Sequence, residues 1–133
     1  MYIDFHTHAF ADKIAERAIA ALTGTAEKCE MKPITNGTAS DLMDKLKSCG
    51  IDKAVILPIA TKPSQQTVIN NWAAEIKGDF FLPFGSIHPQ AEDWESELER
   101  IKQLGLYGIK FHPDYQNFMI DDDFMIPVYK KIL

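Results

Sequence analysis

The sequence is short of cysteine, of basic residues and of long apolar runs. Only Cys29 and Cys49 occur among its 133 residues, and without a Cys-x-x-Cys pair they predict a reduced, cytoplasmic protein. Lys and Arg number 14 against 19 Asp and Glu, which gives a net charge of −5. The basic surface that binds nucleic acid or an anionic membrane is therefore lacking. The longest apolar stretch, residues 54–60, is too short to cross a bilayer, and no secretory signal is visible.

What the sequence does contain is a regular alternation of strand and helix patterns in one domain over residues 1–133. Strands are predicted at residues 2–7, 53–58, 80–87 and 107–111, and helices at 12–22, 40–50, 65–77, 92–104 and from 121 onward. Residues 23–37 are predicted to be a loop, and Thr38 or Ser40 is expected to cap the second helix. This alternation predicts a parallel sheet with right-handed crossovers.

Four βα units amount to half of an eight-stranded barrel. A complete (β/α)8 TIM barrel needs about 200 to 250 residues, and the last predicted helix reaches Leu133 without a C-cap signal. An open four-stranded sheet would also leave two long edges, at residues 2–7 and 107–111. The expected fold class is α/β, the first half of a TIM barrel. A flavodoxin-like binder is an alternative, but no glycine-rich phosphate loop follows the first strand.

All four histidines are expected at the C-terminal ends of strands. His6 and His8 end the first predicted strand, His88 the third and His112 the fourth. In parallel α/β folds this edge of the sheet binds ligands and carries catalytic residues.

His6 and His8 are candidate metal ligands. Because they are two residues apart in a strand, their side chains leave the same face, where two imidazoles can ligate one Zn²⁺ at about 2.0–2.1 Å. Asp4 shares that face and either orients a histidine or is simply hydrogen-bonded. Ile3 and Phe5 point the other way and are expected to be covered by helices. The alternative is that both histidines are structural or exposed, since the His-x-His pattern alone is weakly specific.

Lys110 and His112 are candidate catalytic residues on the predicted fourth strand. They alternate with Ile109 and Phe111 and are therefore expected to point into the barrel mouth. Lys110 can bind a substrate carboxylate, act as a base or bridge two metals as a carbamate; the alternative is a snorkelling or ion-paired lysine. His112 is either a functional group or a structural histidine held by the turn at Pro113.

Two further residues are candidate substrate contacts. His88 follows Ser86 on one face of the third strand, and Tyr115 lies in the loop after the fourth, next to Gln116. Loops at this edge usually shape substrate specificity. The alternatives are that His88 is an ordinary histidine at the end of a strand and that the loop around Tyr115 is only solvated. Residues 92–100 are interpreted as a charged outer helix face without a function.

Three segments together resemble the amidohydrolase superfamily. They are YIDFHTH at 2–8, GSIHP at 85–89 and YGIKFHPDYQ at 107–116. The resemblance is to the amidohydrolase-related branch, which includes aminocarboxymuconate-semialdehyde decarboxylase and related aromatic-acid decarboxylases. It spans essentially the whole chain but only the first half of the family's domain. It implies a (β/α)8 barrel with one or two divalent metals, most often Zn²⁺, held in part by His6 and His8; for Lys110 it leaves a carbamate bridge and a substrate-side role open.

The resemblance also implies a function. The expected activity is hydrolysis of a C–N or C–O bond in a small molecule by metal-activated water, with non-oxidative decarboxylation as the alternative. The family's later ligands follow strands five, six and eight, which these 133 residues do not include. We therefore expect the site to need a C-terminal half, a second copy in a homo-oligomer or another polypeptide. A second alternative is a non-catalytic half-barrel that acts by assembling with a partner.

Overall fold

In the computed structural model, which describes residues 1–25 and 32–133, a parallel three-stranded sheet is packed against helices. The strands are β1 (Ile3–Thr7), β2 (Lys53–Ile56) and β3 (Phe81–Pro83), in the order β1-β2-β3. The helices are α1 (Asp12–Thr25), α2 (Ala39–Ser48), α3 (Gln66–Glu75), α4 (Trp94–Gln103), α5 (Pro113–Gln116) and α6 (Met125–Ile132), and a 3₁₀ turn at Pro63–Gln65 precedes α3. Within the described ranges, each helix is too short or too polar to cross a membrane.

The fourth predicted strand is present only as a single parallel bridge. Gly85, just after β3, pairs with Ile109. The Gly85 amide donates to the Gly108 carbonyl at 2.8 Å, and the Gly85 carbonyl accepts from the Lys110 amide at 2.8 Å. Residues 107–110 thus lie beside the extension of β3, in the position that a fourth strand would occupy. The mixed α/β class is confirmed, with three parallel strands rather than four.

At two places a helix lies where a loop was predicted, and one of the two predicted caps of α2 is confirmed. α1 continues through residues that were expected to begin the loop at 23–37, and residues 26–31 with Cys29 lie outside the described part of the chain. Thr38 caps α2, since its hydroxyl accepts a hydrogen bond from the Asp41 amide at 3.2 Å. The short helix α5 lies where a loop was expected. Its N-cap is His112, a residue type that sequence rules do not associate with helix starts.

Two apolar clusters hold the helices on one side of the sheet. The first joins β2 and β3 to α2 and is built from Ala9, Leu42, Ala54, Ile56 and Phe81. The second joins α4 and α6 and is built from Ile87, Ile101, Phe118, Met125 and Val128. Ile109 and Phe111 pack against the second cluster, as expected for the helix-facing side of the fourth segment.

The prediction that helices cover Phe5 is wrong. The pairing of β1 with β2 shifts register between Asp4 and Thr7, so the simple alternation of faces along β1 is broken. Thr7 is buried and its hydroxyl donates to the Val55 carbonyl at 2.7 Å. Phe5 instead stays 65% exposed. Ile3, at the start of the same strand, is also exposed.

Phe5 lies on the side of the sheet that the helices leave uncovered. Its ring meets the edge of Phe84 at a centroid distance of 6.2 Å. Phe84 precedes Gly85, whose α-carbon faces Ile101 of α4, so Phe84 points away from the helices. A Cβ on Gly108 would meet the same Phe84 ring at 2.6 Å. We call the sheet surface around Phe5, Phe84 and Gly108 the open face.

Candidate metal and catalytic site

His6 and His8 form an adjacent pair at the end of β1. Their ring centroids are 5.1 Å apart, with an interplanar angle of 66°. The His8 Nδ1 atom lies 2.9 Å from the Leu57 carbonyl, and because a carbonyl can only accept, Nδ1 carries the proton. In the neutral ring the lone pair is then on Nε2, the arrangement in which a histidine ligates a metal while its other nitrogen is held by a hydrogen bond.

The surroundings of His8 favour its neutral form. Loss of hydration lowers the pKa of His8, although part of the residue remains exposed, and the hydrogen bond to Leu57 opposes this shift. The positive charges of His6, Lys110 and His112 lower the pKa further. His8 is thus mainly uncharged at neutral pH, as a metal ligand must be.

The same electrostatic interactions show that the fold brings four of the predicted site residues together. His6 and His8 come from β1, whereas Lys110 and His112 come from the fourth segment about a hundred residues later. The charges of Lys110 and His112 act on the His8 ring. The site therefore combines a pair of potential ligands with two basic groups at one end of the sheet.

Asp4 is hydrogen-bonded to backbone. Its Oδ1 atom accepts from the His6 amide at 3.1 Å, which stabilises the irregular end of β1. Of the two roles expected for Asp4, this contact corresponds to the hydrogen-bonded one.

His6 and His8 are two candidate ligands, and a third is not found among the described residues. Across residues 1–25 and 32–133, no group of three or more His, Cys, Asp or Glu side chains is arranged to hold a metal ion. Structural zinc sites use four protein ligands and catalytic zinc sites commonly three. His6 and His8 fit two of these positions.

His112 and Tyr115 form a stacked pair at the start of α5. Their rings are parallel within 6° at a centroid distance of 4.0 Å, and the Tyr115 amide donates to His112 Nδ1 at 3.4 Å. Because Nδ1 accepts this bond, the proton of the neutral His112 ring lies on Nε2. Tyr115 remains 49% exposed, so the stack presents an aromatic surface to solvent.

His88 lies in a different environment from the other three histidines. It is 5% exposed, its Nδ1 accepts from the Gln90 amide at 3.3 Å, and its own amide donates to Gln66 Oε1 at 3.1 Å. Burial lowers the pKa of His88. It is not among the groups whose charge acts on His8, so a substrate contact at His88 stays a prediction.

Sequence reasoning missed a set of buried polar side chains behind the site. They are Gln66, Asn70, Ser86, Glu97 and Gln116, each less than 5% exposed. A signal for two of them was available, because Gln66 and Asn70 are spaced i, i+4 and lie on one face of α3.

Residues 92–100 were interpreted as a charged outer helix face, but one of the charged residues, Glu97, is buried. Its carboxylate is 4% exposed, accepts from Asn70 Nδ2 at 2.6 Å and pairs with Arg100 Nη2 at 2.7 Å. The polar partners on α3 allow a charge to be buried there, since a buried charge needs such partners.

No protein-family model matches this chain, and no curated protein sequence matches it either. Its fold is similar to that of 4-oxalomesaconate hydratase from Rhodopseudomonas palustris, a crystal structure with a TM-score of 0.62 and 18% sequence identity. The match covers 98% of this chain and 49% of the hydratase. This chain therefore corresponds in fold to about half of that enzyme.

Proposed function

We propose that this chain forms part of a metal-dependent hydrolase-like enzyme of the amidohydrolase type, which uses activated water on a small molecule. The observation that carries the proposal is the His6–His8 pair, with His8 neutral and held by Leu57 so that Nε2 is free to bind a metal. The fold similarity to 4-oxalomesaconate hydratase supports it, because a hydratase also uses water on a small molecule. The acidic chain, with net charge −5, is unsuited to nucleic acid as a partner.

We propose Zn²⁺ as the ion, because histidine nitrogen is one of the usual ligands of zinc in proteins. When bound, a divalent ion would lower the pKa of a coordinated water and polarise a substrate oxygen. His6 and His8 would each contribute one ring nitrogen. The remaining ligands would come from outside the described residues.

The basic groups of the fourth segment complete the proposed chemistry. Lys110, as a cation near His8, would orient an anionic substrate oxygen. In the neutral ring of His112 the proton lies on Nε2, so this group would donate a hydrogen bond to a substrate oxygen. The parallel ring of Tyr115 would form one wall of the substrate site and limit its width.

We propose hydrolysis of a C–N or C–O bond as the reaction. A second candidate is addition of water to a carbon–carbon double bond, which is favoured by the fold similarity to a hydratase. Both reactions use the same activated water and are distinguished by the product. Release of carbon dioxide would instead indicate the decarboxylase alternative.

The open face supports a further part of the proposal, that another polypeptide segment completes the site. Phe5 is 65% exposed there, and the similar hydratase has about twice the length matched by this chain. A C-terminal half or a second copy of this chain would cover the apolar surface and supply the missing ligands.

Zinc binding by the purified full chain tests the proposal. Metal content per chain is measured after gel filtration with added Zn²⁺, with the mass in solution recorded, for wild type, His6→Ala and His8→Ala. Cys49→Ser is the control, because Cys49 is an exposed thiol that could bind zinc adventitiously. We expect binding that either histidine substitution weakens by at least about tenfold and Cys49→Ser leaves unchanged. Equal zinc binding in all four proteins would overturn the ligand assignment.

A further inference from the structure

The residues proposed to act in the site are tied to one short buried segment after β2, which we call the 57–60 segment. The Leu57 carbonyl holds the His8 ring. Ala60, three residues later, is completely buried, and its amide and carbonyl both bond to side chains that reach the fourth segment. Two of those side chains are Ser86 and Gln116.

Ser86 connects the 57–60 segment to the backbone of Lys110. Its hydroxyl accepts from the Ala60 amide at 3.0 Å and donates to the Lys110 carbonyl at 3.0 Å. Ser86 is 0% exposed, so both bonds form away from competing water. The Asn70 side-chain amide bonds to both backbone polar groups of Ser86, at 2.8 and 3.0 Å, and this fixes the serine in place.

Gln116 connects the same segment to the backbone of His112. Its Nε2 donates to the Ala60 carbonyl at 3.0 Å and to the Ile87 carbonyl at 2.8 Å. Its Oε1 accepts from the His112 amide at 2.8 Å. Both protons of the side-chain amide are used, and the residue is 1% exposed. This one side chain therefore joins the segments that follow β2, β3 and the fourth segment, at Ala60, Ile87 and His112.

We propose that Ser86 and Gln116 are positioning residues, which hold Lys110 and His112 at a set distance from His8 by bridging both to Ala60. Neither side chain reaches the site itself. They act through backbone groups, so a change in either displaces the basic residues without removing one of them. The roles of Lys110 and His112 rest on the proposed function, whereas the bridges themselves do not.

Two substitutions remove one bridge each. Ser86→Ala deletes the hydroxyl with little change in volume, and Gln116→Met keeps the side-chain length without its hydrogen bonds. Val128→Ala is the control for lost stability, because Val128 is buried in the second apolar cluster and takes part in neither hydrogen-bonded bridge. Gln103→Met, at an exposed glutamine of α4, controls for the change of residue type.

The first measurement uses the metal-free full chain. Amide exchange and backbone order parameters are recorded by NMR for residues 107–116. In Gln116→Met we expect exchange of the His112 amide to become about five to ten times faster, with lower order parameters at 110–113. In Ser86→Ala we expect order parameters around Lys110 to be lower than in the wild type. Val128→Ala should lower the melting temperature without these local changes.

The second measurement tests where Lys110 and His112 lie relative to His8. Co²⁺ is added as a paramagnetic probe, and pseudocontact shifts of the Lys110 and His112 amides are compared between variants. Positioning residues predict altered shifts in Ser86→Ala and Gln116→Met and unchanged shifts in both controls. Unchanged order parameters and unchanged shifts, with only a lower melting temperature, would overturn the inference and make the bridges a stability feature alone. If Co²⁺ causes no shifts in wild type, the proposed metal site fails, and the order parameters still decide the positioning roles.

Discussion

The Nδ1–H group of His8 donates a hydrogen bond to the carbonyl of Leu57, 2.9 Å away. This single contact selects the ring tautomer and joins the end of β1 to the segment that follows β2. The lone pair of the neutral ring is thereby on Nε2, and under the proposed function this atom would bind a metal with little reordering of the ring.

We expect the stability of the chain to fall as the pH drops below about 6.5. The pKa values of His8 and His88 are both lowered, in each case first by burial, so the unfolded chain takes up protons at a higher pH than the folded one. The stabilisation is present above the unfolded value of 6.5 and is lost as the pH falls through the lower folded pKa. Urea unfolding at pH 7.5 and 5.5 measures the loss. His88→Asn, which can still accept from the Gln90 amide, should reduce the loss of stability between the two pH values. An equal loss in this variant would contradict the lowered pKa of His88.

Glu97→Gln should destabilise the protein at neutral pH by about 2 kcal/mol, because a hydrogen-bonded buried charge is removed and Arg100 loses the carboxylate of its ion pair. Burial tends to raise the pKa of Glu97, but hydrogen bonds from Arg100, Asn70 and Thr67 outweigh it and the pKa is lowered. The stabilisation is therefore present above the unfolded value of 4.5 and disappears as the pH falls through the folded pKa. Denaturant titrations should show that Glu97→Gln lowers the free energy of unfolding less at pH 3 than at pH 7. Glu95→Gln, on the exposed side of α4, should change stability by less than about 0.5 kcal/mol at either pH.

Gly85→Ala should cost about 1–3 kcal/mol through overpacking. A Cβ at Gly85 would lie 2.8 Å from three side-chain atoms of Ile101, whereas a Cβ at Gly78 would meet nothing within 4 Å. Gly78→Ala is thus the matched control and should be neutral or slightly stabilising. Adding Ile101→Val to Gly85→Ala should recover part of the loss, since it removes one of the opposing atoms. A double variant no more stable than Gly85→Ala would refute the steric explanation.

Phe5→Ala and Phe81→Ala should differ strongly in their effect on stability. Phe81 is 5% exposed and lies in the first apolar cluster, so its truncation should cost about 3–5 kcal/mol. Phe5 is 65% exposed and makes one aromatic contact with Phe84, so its loss should cost no more than about 1 kcal/mol. Thermal or urea unfolding compares the two. Equal costs would contradict the exposure of Phe5 in solution.

Much of the architecture was predictable from local patterns. The apolar run that begins at Lys53 and the periodic segment around Gln66–Glu75 form the expected strand and helix, because each pattern has one period that buries an apolar face. The length of the fourth strand was overestimated. Its alternation is strand-like and Ile109 faces the helices, but only one residue of the segment pairs with its neighbour.

The candidate site was predictable in part, for a reason specific to parallel sheets. Residues that follow strands collect at one edge of such a sheet, so His6, His8, Lys110 and His112 could be grouped from their positions alone. Which nitrogen of His8 stays free could not be derived this way, because it depends on a carbonyl almost fifty residues away. For the same reason nothing near Ser86 or Gln116 in the chain indicated that they bond to Ala60.

The sequence by itself determined the α/β class and the grouping of basic residues at one edge, because hydrophobic period and strand direction are local properties. Only the tertiary structure decided that Phe5 is uncovered, that Glu97 is buried and that Ala60 bonds to both Ser86 and Gln116. Each of these depends on side chains from distant elements meeting across the sheet, and a register shift of one residue in β1 was enough to change the face on which Phe5 lies.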